Sequence, residues 1–130
     1  MLLEYQLLTD LPLVMADRVQ LQQVLLNLLM NAIEAMSALT NRPRLLSVQT
    51  QLDESAHILV SVRDSGTGFS SDSEALFTPF VTTKADGLGM GLTISRSLIE
   101  GHLGRLWAEA NVPHGAVFKF TLPLAEQGPS

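Results

Sequence analysis

No cysteine occurs among the 130 residues, so disulfide frameworks, thiolate zinc sites and cysteine nucleophiles are excluded. Positive charge is scarce as well. Eight Lys and Arg stand against thirteen Asp and Glu, for a net charge of −5, and they form no run. Nucleic-acid surfaces collect cations on one face, so no nucleic-acid partner is expected. An anionic ligand would have to be held locally, by backbone amides, a metal or a few placed cations. No apolar run approaches the ~18 residues that a membrane-spanning helix requires, so no membrane contact is expected. Met1 leads into Leu2-Leu3-Glu4-Tyr5-Gln6 without a basic segment or a long apolar core, so no secretory leader is expected. These absences together fit a cytoplasmic location. What remains is 46% hydrophobic and 16% charged, the balance of a globular chain, and its length suits one domain.

The hydrophobic pattern divides this domain. Leu2 to Leu8 reads as a strand, and Leu13-Val14-Met15 forms a second apolar run. Asp17 stands at a helix start with Gln20 as capping-box partner. From Arg18 to about Leu39 the chain lacks Gly and Pro. Leu21, Val24, Leu25, Leu28, Leu29, Ala32 and Met36 recur there at helical spacing, and Asn41-Arg42-Pro43 breaks the pattern. Residues 45–52 and 57–63 are β-like and join as an antiparallel hairpin. Residues 69–90 are rich in Ser, Thr, Gly and Asp with little periodicity, a long irregular segment of the kind that serves as a functional lid. A second helix is expected over Leu92 to Glu100, then strands over 105–110 and 116–122. The tail, 125–130, should fray. Hairpin-linked strands without crossover helices speak against a doubly wound parallel sheet. The expected class is α/β, a two-layer sandwich.

Three places carry residues suited to chemistry. Asn27 and Asn31 lie four apart and share one helix face, which Gln20, Gln23 and Glu34 extend into a polar stripe opposite the apolar one. A solvated face is the plain reading of such a stripe. Asn is nevertheless a poor helix former, and its carboxamide oxygen is a hard ligand of the kind Mg²⁺ accepts beside phosphates. Asp64-Ser65-Gly66-Thr67-Gly68 sets a carboxylate at a strand end before two glycines. The plain reading is an Asp-Gly turn. The functional one is a buried acceptor for an exocyclic amine, with backbone free to approach a ligand. Gly87-Leu88-Gly89-Met90-Gly91-Leu92 opens the second helix, where backbone N–H groups and the positive dipole end attract an anion. It is neither a Walker loop nor a dinucleotide fingerprint. Between them, Leu76-Phe77-Thr78-Pro79-Phe80 and Val81-Thr82-Thr83-Lys84 place two aromatics and one cation. Aromatics there more often pin the loop to the core, and a lone lysine is commonly solvated. His57, His102 and His114 lack metal-ligand spacing, so solvent-facing or capping roles are expected. Trp107 is expected to pack on the sheet.

The order of these motifs is more specific than any of them. It resembles the GHKL ATP-binding superfamily, and in particular the catalytic domain of sensor histidine kinases in their nitrogen- and oxygen-sensing branch. Asn27 to Met36 is similar to that branch's N box, Leu76 to Lys84 to its F box, and Gly87 to Leu92 to its second glycine box. The resemblance spans nearly the whole chain and implies residues 1–124 as one GHKL-type domain. The implied fold is the Bergerat sandwich, a mixed, mainly antiparallel sheet with three helices on one face. It implies Mg·ATP as ligand. Asn31 would hold the metal, Asn27 would line the phosphates beside it, and Asp64 would accept from the adenine amino group. Gly66 and Gly68 would lie close to the base. Gly87, Leu88, Gly89, Met90, Gly91 and Leu92 would form the lid hinge and helix terminus at the phosphates. Phe80, Thr83 and Lys84 would contact the nucleotide from the lid, with Lys84 at the terminal phosphate. The implied reaction transfers the γ-phosphoryl group to a histidine on a separate dimerisation helix, for relay to a response regulator. The full-length protein can be membrane-anchored even so.

The chain departs from the family pattern in three ways. Glu34 is acidic where many relatives are basic. Leu103 stands where the branch often has glycine. None of the three histidines sits in an H-box setting, so the acceptor must lie elsewhere. Two other classes share much of the pattern: hydrolytic GHKL ATPases, and anti-sigma-type serine kinases or nucleotide-dependent partner switches. The hydrolytic ones carry a glutamate base where this chain has Asn27, which cannot take a proton from water.

Overall fold

A computed structural model describes residues 2–6, 16–37, 39–52, 57–68, 77 and 88–124, with the backbone course alone for 2–6 and 88–90. The elements are β1 (Leu2–Gln6), α1 (Arg18–Met36), β2 (Leu45–Leu52), β3 (His57–Asp64), α2 (Leu88–Gly101), β4 (Arg105–Ala110) and β5 (Ala116–Pro123). They build a five-stranded sheet of order β1-β2-β3-β5-β4. β2 to β5 pair antiparallel, and β1 lies parallel to β2 at the edge. The mixed, mainly antiparallel α/β sandwich is therefore present. A parallel pair cannot be closed by a hairpin, so α1 serves as a crossover, which corrects the reading that crossover helices are lacking. Of the three expected helices, two fall among the described residues. The expectation of a third lies outside them, as do Leu13 to Met15 and the tail 125–130.

Period-two alternation decides which sheet face is covered. Ile58, Val60, Val62 and Asp64 of β3 are buried. Opposite the first three stand Leu122, Phe120 and Phe118 of β5, and Leu106 and Ala108 of β4 continue the row. α1 lays Val24, Leu28, Ala32 and Met36 on this face, and α2 adds Leu92 and Ile99. Each fully buried aliphatic or Phe side chain contributes about 1.5–3 kcal/mol, so this single layer is what orders the domain. The other sheet face is polar. There Trp107 donates from Nε1 to Glu109 at 2.8 Å and lies under the Arg105 guanidinium.

The helix ends differ in detail from the sequence reading. Asp17 caps α1 as expected, its Oδ1 accepting the Gln20 N–H at 3.0 Å. The Asp17 N–H, which a capping box would hand to the Gln20 side chain, donates instead to Nε2 of His102 at 3.0 Å. Nδ1 of that ring faces the Leu98 carbonyl at 2.8 Å. A carbonyl only accepts, so Nδ1 carries the proton and Nε2 is the acceptor. His102 thus pins the start of α1 to the end of α2. α1 stops at Met36, short of Leu39, because Ser37 turns its N–H and hydroxyl back onto the Glu34 carbonyl at 3.1 and 2.8 Å.

α2 closes with Gly104 N–H on the Ile99 carbonyl at 2.9 Å and Leu103 N–H on that of Glu100 at 3.0 Å. This Schellman pattern demands a left-handed residue, usually glycine. Leu103 occupies the position at φ 65° and is 80% exposed. The outward side of α1 also differs from the expected polar stripe, because Val19, Leu26, Met30 and Ile33 are exposed on it.

Candidate functional site

Asp64 ends the buried row of β3, which is why a carboxylate finds itself 1% exposed. Its Oδ1 accepts from Gly66 N–H at 2.8 Å and from Ala116 N–H at 3.3 Å. Oδ2 is buried without a partner. Burial raises the carboxyl pKa above its ordinary value, and the backbone bonds from Gly66 and Ala116 oppose that rise. Buried polar atoms are nearly always hydrogen-bonded. Such an acceptor at a strand end can take a donor from water or from a ligand.

The turn after Asp64 is braced from three sides. A side chain at Gly66 would put its Cβ 2.5 Å from the Ala35 carbonyl, so glycine lets the turn press against α1, and Thr67 N–H bonds that carbonyl at 3.2 Å. Gly66 thus serves a contact with the protein's own helix, where the sequence reading assigned it to the base alone. Gly68 follows at φ 72°. Gly115 in the β4–β5 turn, at φ 100°, would put a Cβ 2.0 Å from the Asp64 carbonyl. Arg42 donates to the Gly66 carbonyl at 2.8 Å and to that of Ser65 at 3.3 Å. Asn111 donates to the Asp64 carbonyl at 2.9 Å. Sequence reasoning took Arg42 for part of a helix breaker and Asn111 for part of a turn. Their partners lie 24 and 47 residues away, a separation that periodicity does not register.

The other end of the site is built where α2 crosses α1. Asn27 donates from Nδ2 to the Ser95 hydroxyl at 3.1 Å and to the Gly91 carbonyl at 3.4 Å. Asn31 lies one turn further along, half-buried. Asn27, Asn31 and Ala35 recur every four residues and line one side of α1. This line touches α2 at Asn27 and the Asp64 turn at Ala35, about 12 Å apart along the axis. α2 begins at Leu88, about one turn before the expected Leu92, so Gly89 and Gly91 are helical. Its first N–H groups lack intrahelical acceptors and carry the positive end of the dipole. Leu92 is buried in the core.

Four expected site residues, Phe80, Thr83, Lys84 and Gly87, lie outside the described residues. For Leu88, Gly89 and Met90 only the helical backbone is described. Phe77 is described and packs on the core. Its ring is edge-on to Phe118 at 6.3 Å and under the Arg96 guanidinium at 4.4 Å, and its carbonyl accepts from Thr93 Oγ1 at 2.9 Å. Among the described residues no cluster of three His, Asp or Glu could hold a metal. The carboxamide of Asn31 still fits Mg²⁺, which keeps several waters and takes further ligands from phosphates.

Comparison with known proteins identifies the family and the fold. The family described as histidine kinase-, DNA gyrase B- and HSP90-like ATPase matches residues 16–126. Sensor protein FixL of Bradyrhizobium diazoefficiens is 51% identical over 116 residues, 88% of this chain and 23% of FixL. Sensor protein TdiS of Thauera aromatica is 40% identical over 121 residues, 92% of this chain and 22% of TdiS. The chain thus spans about a quarter of the length of these relatives. Among solved structures, the catalytic domain of histidine kinase ThkA, in a nucleotide-free form, superposes with TM-score 0.80. It is 35% identical, and the match covers 96% of this chain and 81% of ThkA's. Full-length ShkA in complex with AMPPNP gives TM-score 0.80 at 28% identity, covering 97% of this chain and 26% of that one. Among the described residues no helix is long and apolar enough to cross a membrane.

Proposed function

The chain belongs to the histidine kinase-, DNA gyrase B- and HSP90-like ATPase family, among the catalytic domains of sensor histidine kinases, and from that premise we propose that residues 1–124 bind Mg·ATP and pass its γ-phosphoryl group to a histidine on a separate phosphoacceptor helix. The observation that carries the reading is the orphaned, buried Oδ2 of Asp64. It is an acceptor held in place by the bonds to Oδ1, and the exocyclic amine of adenine is the donor that suits it. From there the nucleotide runs along the Asn27–Asn31–Ala35 line toward the start of α2. The first N–H groups of α2 meet the phosphates, with Asn27 beside them. Asn31 would hold Mg²⁺, which would neutralise phosphate charge. ShkA, solved with AMPPNP, supports nucleotide binding in this fold. Lys84, Thr83 and Phe80 would complete the site from the lid.

Phosphoryl transfer asks little covalent chemistry of a protein, so positioning and charge neutralisation supply the rate. Asn27 stands where the hydrolytic members of the family carry a glutamate base, and a carboxamide cannot accept a proton from water. Bound ATP therefore waits for an imidazole, and from the phosphohistidine a response regulator would receive the group. The domain would work in the cytoplasm. Mixing this chain with a histidine-bearing four-helix dimerisation fragment and labelled ATP tests the proposal. Acid-labile, base-stable label on the fragment is expected. Sustained ATP hydrolysis by the isolated domain without transfer would overturn it in favour of an ATPase.

A further inference from the structure

Ser95 belongs to none of the motifs, yet its side chain is one of only three polar ones buried among the described residues, with 0% exposed. A buried serine hydroxyl needs a hydrogen-bond partner. Asn27 supplies one. The amide nitrogen of Asn27 donates to Ser95 Oγ at 3.1 Å and to the Gly91 carbonyl at 3.4 Å, so this nitrogen turns toward α2. The Gly91 carbonyl can only accept, which fixes the sense of the carboxamide. Nδ2 faces α2, and Oδ1 is the end not turned to it. A Cβ at Gly91 would stand 3.5 Å from the Asn27 Cγ, in ordinary contact, so the two helices meet closely here without clash.

We propose that Ser95 is a positioning residue for the phosphate end of the site, holding the Asn27 carboxamide against α2 while the Gly91 carbonyl sets which end of it is left for the ligand. The proposal rests on the Mg·ATP reading and deepens it. Without Ser95 the carboxamide keeps only the longer bond to the Gly91 carbonyl, at 3.4 Å, and its oxygen is held less firmly toward the ligand. Asn27 meets Mg·ATP in one sense only, as an acceptor or a hard oxygen ligand, and never as a donor to a phosphate oxygen. The chemistry at that position is thus decided from α2, 68 residues away in sequence.

The experiment is a double-mutant cycle in Mg·ATP affinity, read by calorimetry on the isolated chain with melting curves alongside. Ser95→Ala is expected to weaken binding about 3- to 10-fold, the effect of one hydrogen bond. It should have no further effect once Asn27 is already Ala, because Ser95 acts only through Asn27. Ser95→Cys keeps the size but accepts poorly, so it should behave like Ser95→Ala and serves as the readout if the alanine variant misfolds. Equal weakening in both backgrounds, or unchanged affinity in the single variants, would overturn the proposal. Absence of Mg·ATP binding by the unmodified chain would instead overturn the function on which it rests, so the two failures are distinguishable.

Discussion

Asp64→Asn separates what the fold needs from what the ligand needs. The backbone N–H groups of Gly66 and Ala116 both point at Oδ1. An asparagine must therefore put its oxygen there, which leaves its amide nitrogen at the buried position of Oδ2. An acceptor becomes a donor and faces the adenine amine with N–H against N–H. The lost hydrogen bond to a charged acceptor is worth about 1.5–3 kcal/mol, and the unsatisfied donors cost about 1–3 kcal/mol more. Together, about 2.5–6 kcal/mol corresponds to roughly two to four orders of magnitude in Kd. Charge burial moves stability the other way. The folded carboxyl pKa lies above 3.8 because burial disfavours the charge. Its ionisation therefore takes stability away as pH rises from 3.8 through the raised value, and a neutral amide escapes that loss. The buried amide donors offset that gain, so the expected outcome is a variant that stays folded, melting within a few degrees of the parent at neutral pH, and barely binds ATP by calorimetry. Guanine offers a carbonyl where adenine offers its amine, so discrimination against GTP should narrow at the same time. A folded Asp64→Asn variant with unchanged ATP affinity, or with GTP rejected as before, would refute the assignment of Oδ2 to the base.

Three further outcomes follow from particular contacts. An amine donated to Oδ2 favours the ionised carboxyl, so bound ATP should lower the pKa that burial raises. Affinity should be complete above the raised value and decline as pH falls through it, with a proton released on binding in that window. Calorimetry in buffers of different ionisation enthalpy reads this directly, and uptake of a proton would contradict it. Gly115→Ala forces a Cβ to within 2.0 Å of the Asp64 carbonyl at φ 100°. It should cost more than about 2 kcal/mol, a fall of roughly 8 °C in Tm, and should weaken ATP binding because Asp64 moves with its carbonyl. Leu103→Gly relieves a left-handed leucine that is 80% exposed and buries little. A gain of about 0.5–1 kcal/mol, or about 2–4 °C in thermal melting, is expected after the extra flexibility of glycine in the unfolded chain is set against it. A fall in Tm would show that Leu103 makes a contact that its exposure hides.

The parts of this domain that were legible in the sequence are those governed by near neighbours. The strand over 45–52 and the hairpin it makes with the next are set by alternation. α1 is announced by Asp17 and by Val24, Leu28, Ala32 and Met36 at spacing four, and these four are the residues it buries. Asp64, Asn27 and Asn31 stood out because a carboxylate before two glycines, or two asparagines in a leucine-rich helix, contradicts local propensity. The early start of α2 was missed because Gly89 and Gly91 read as loop. The tertiary contact of α2 with α1 overrides their poor propensity. The crossover at β1 was missed because pairing direction is a property of topology, and five residues carry no mark of it.

The residues that aim the site were invisible for a different reason. Arg42, Ser95, Asn111 and Gly115 each act on a motif residue through a contact that joins separate elements. None of them departs from what its own segment would tolerate. Arg42 looks like any polar residue before a proline, and Ser95 like any small residue in an amphipathic helix. What distinguishes them is the partner. Ser95 is buried against Asn27, and Gly115 lies under the carbonyl of Asp64. In the proposed reading a motif marks the atoms that would meet the ligand, whereas the sense in which those atoms point is set by the packing of α2 on α1 and of β5 beside β3. Two chains sharing all four motifs could differ in nucleotide affinity through these four positions alone. Exchanging them between such chains should transfer the affinity difference while the motifs stay fixed. Thermal melts of the exchanged chains would separate that transfer from any change in overall stability.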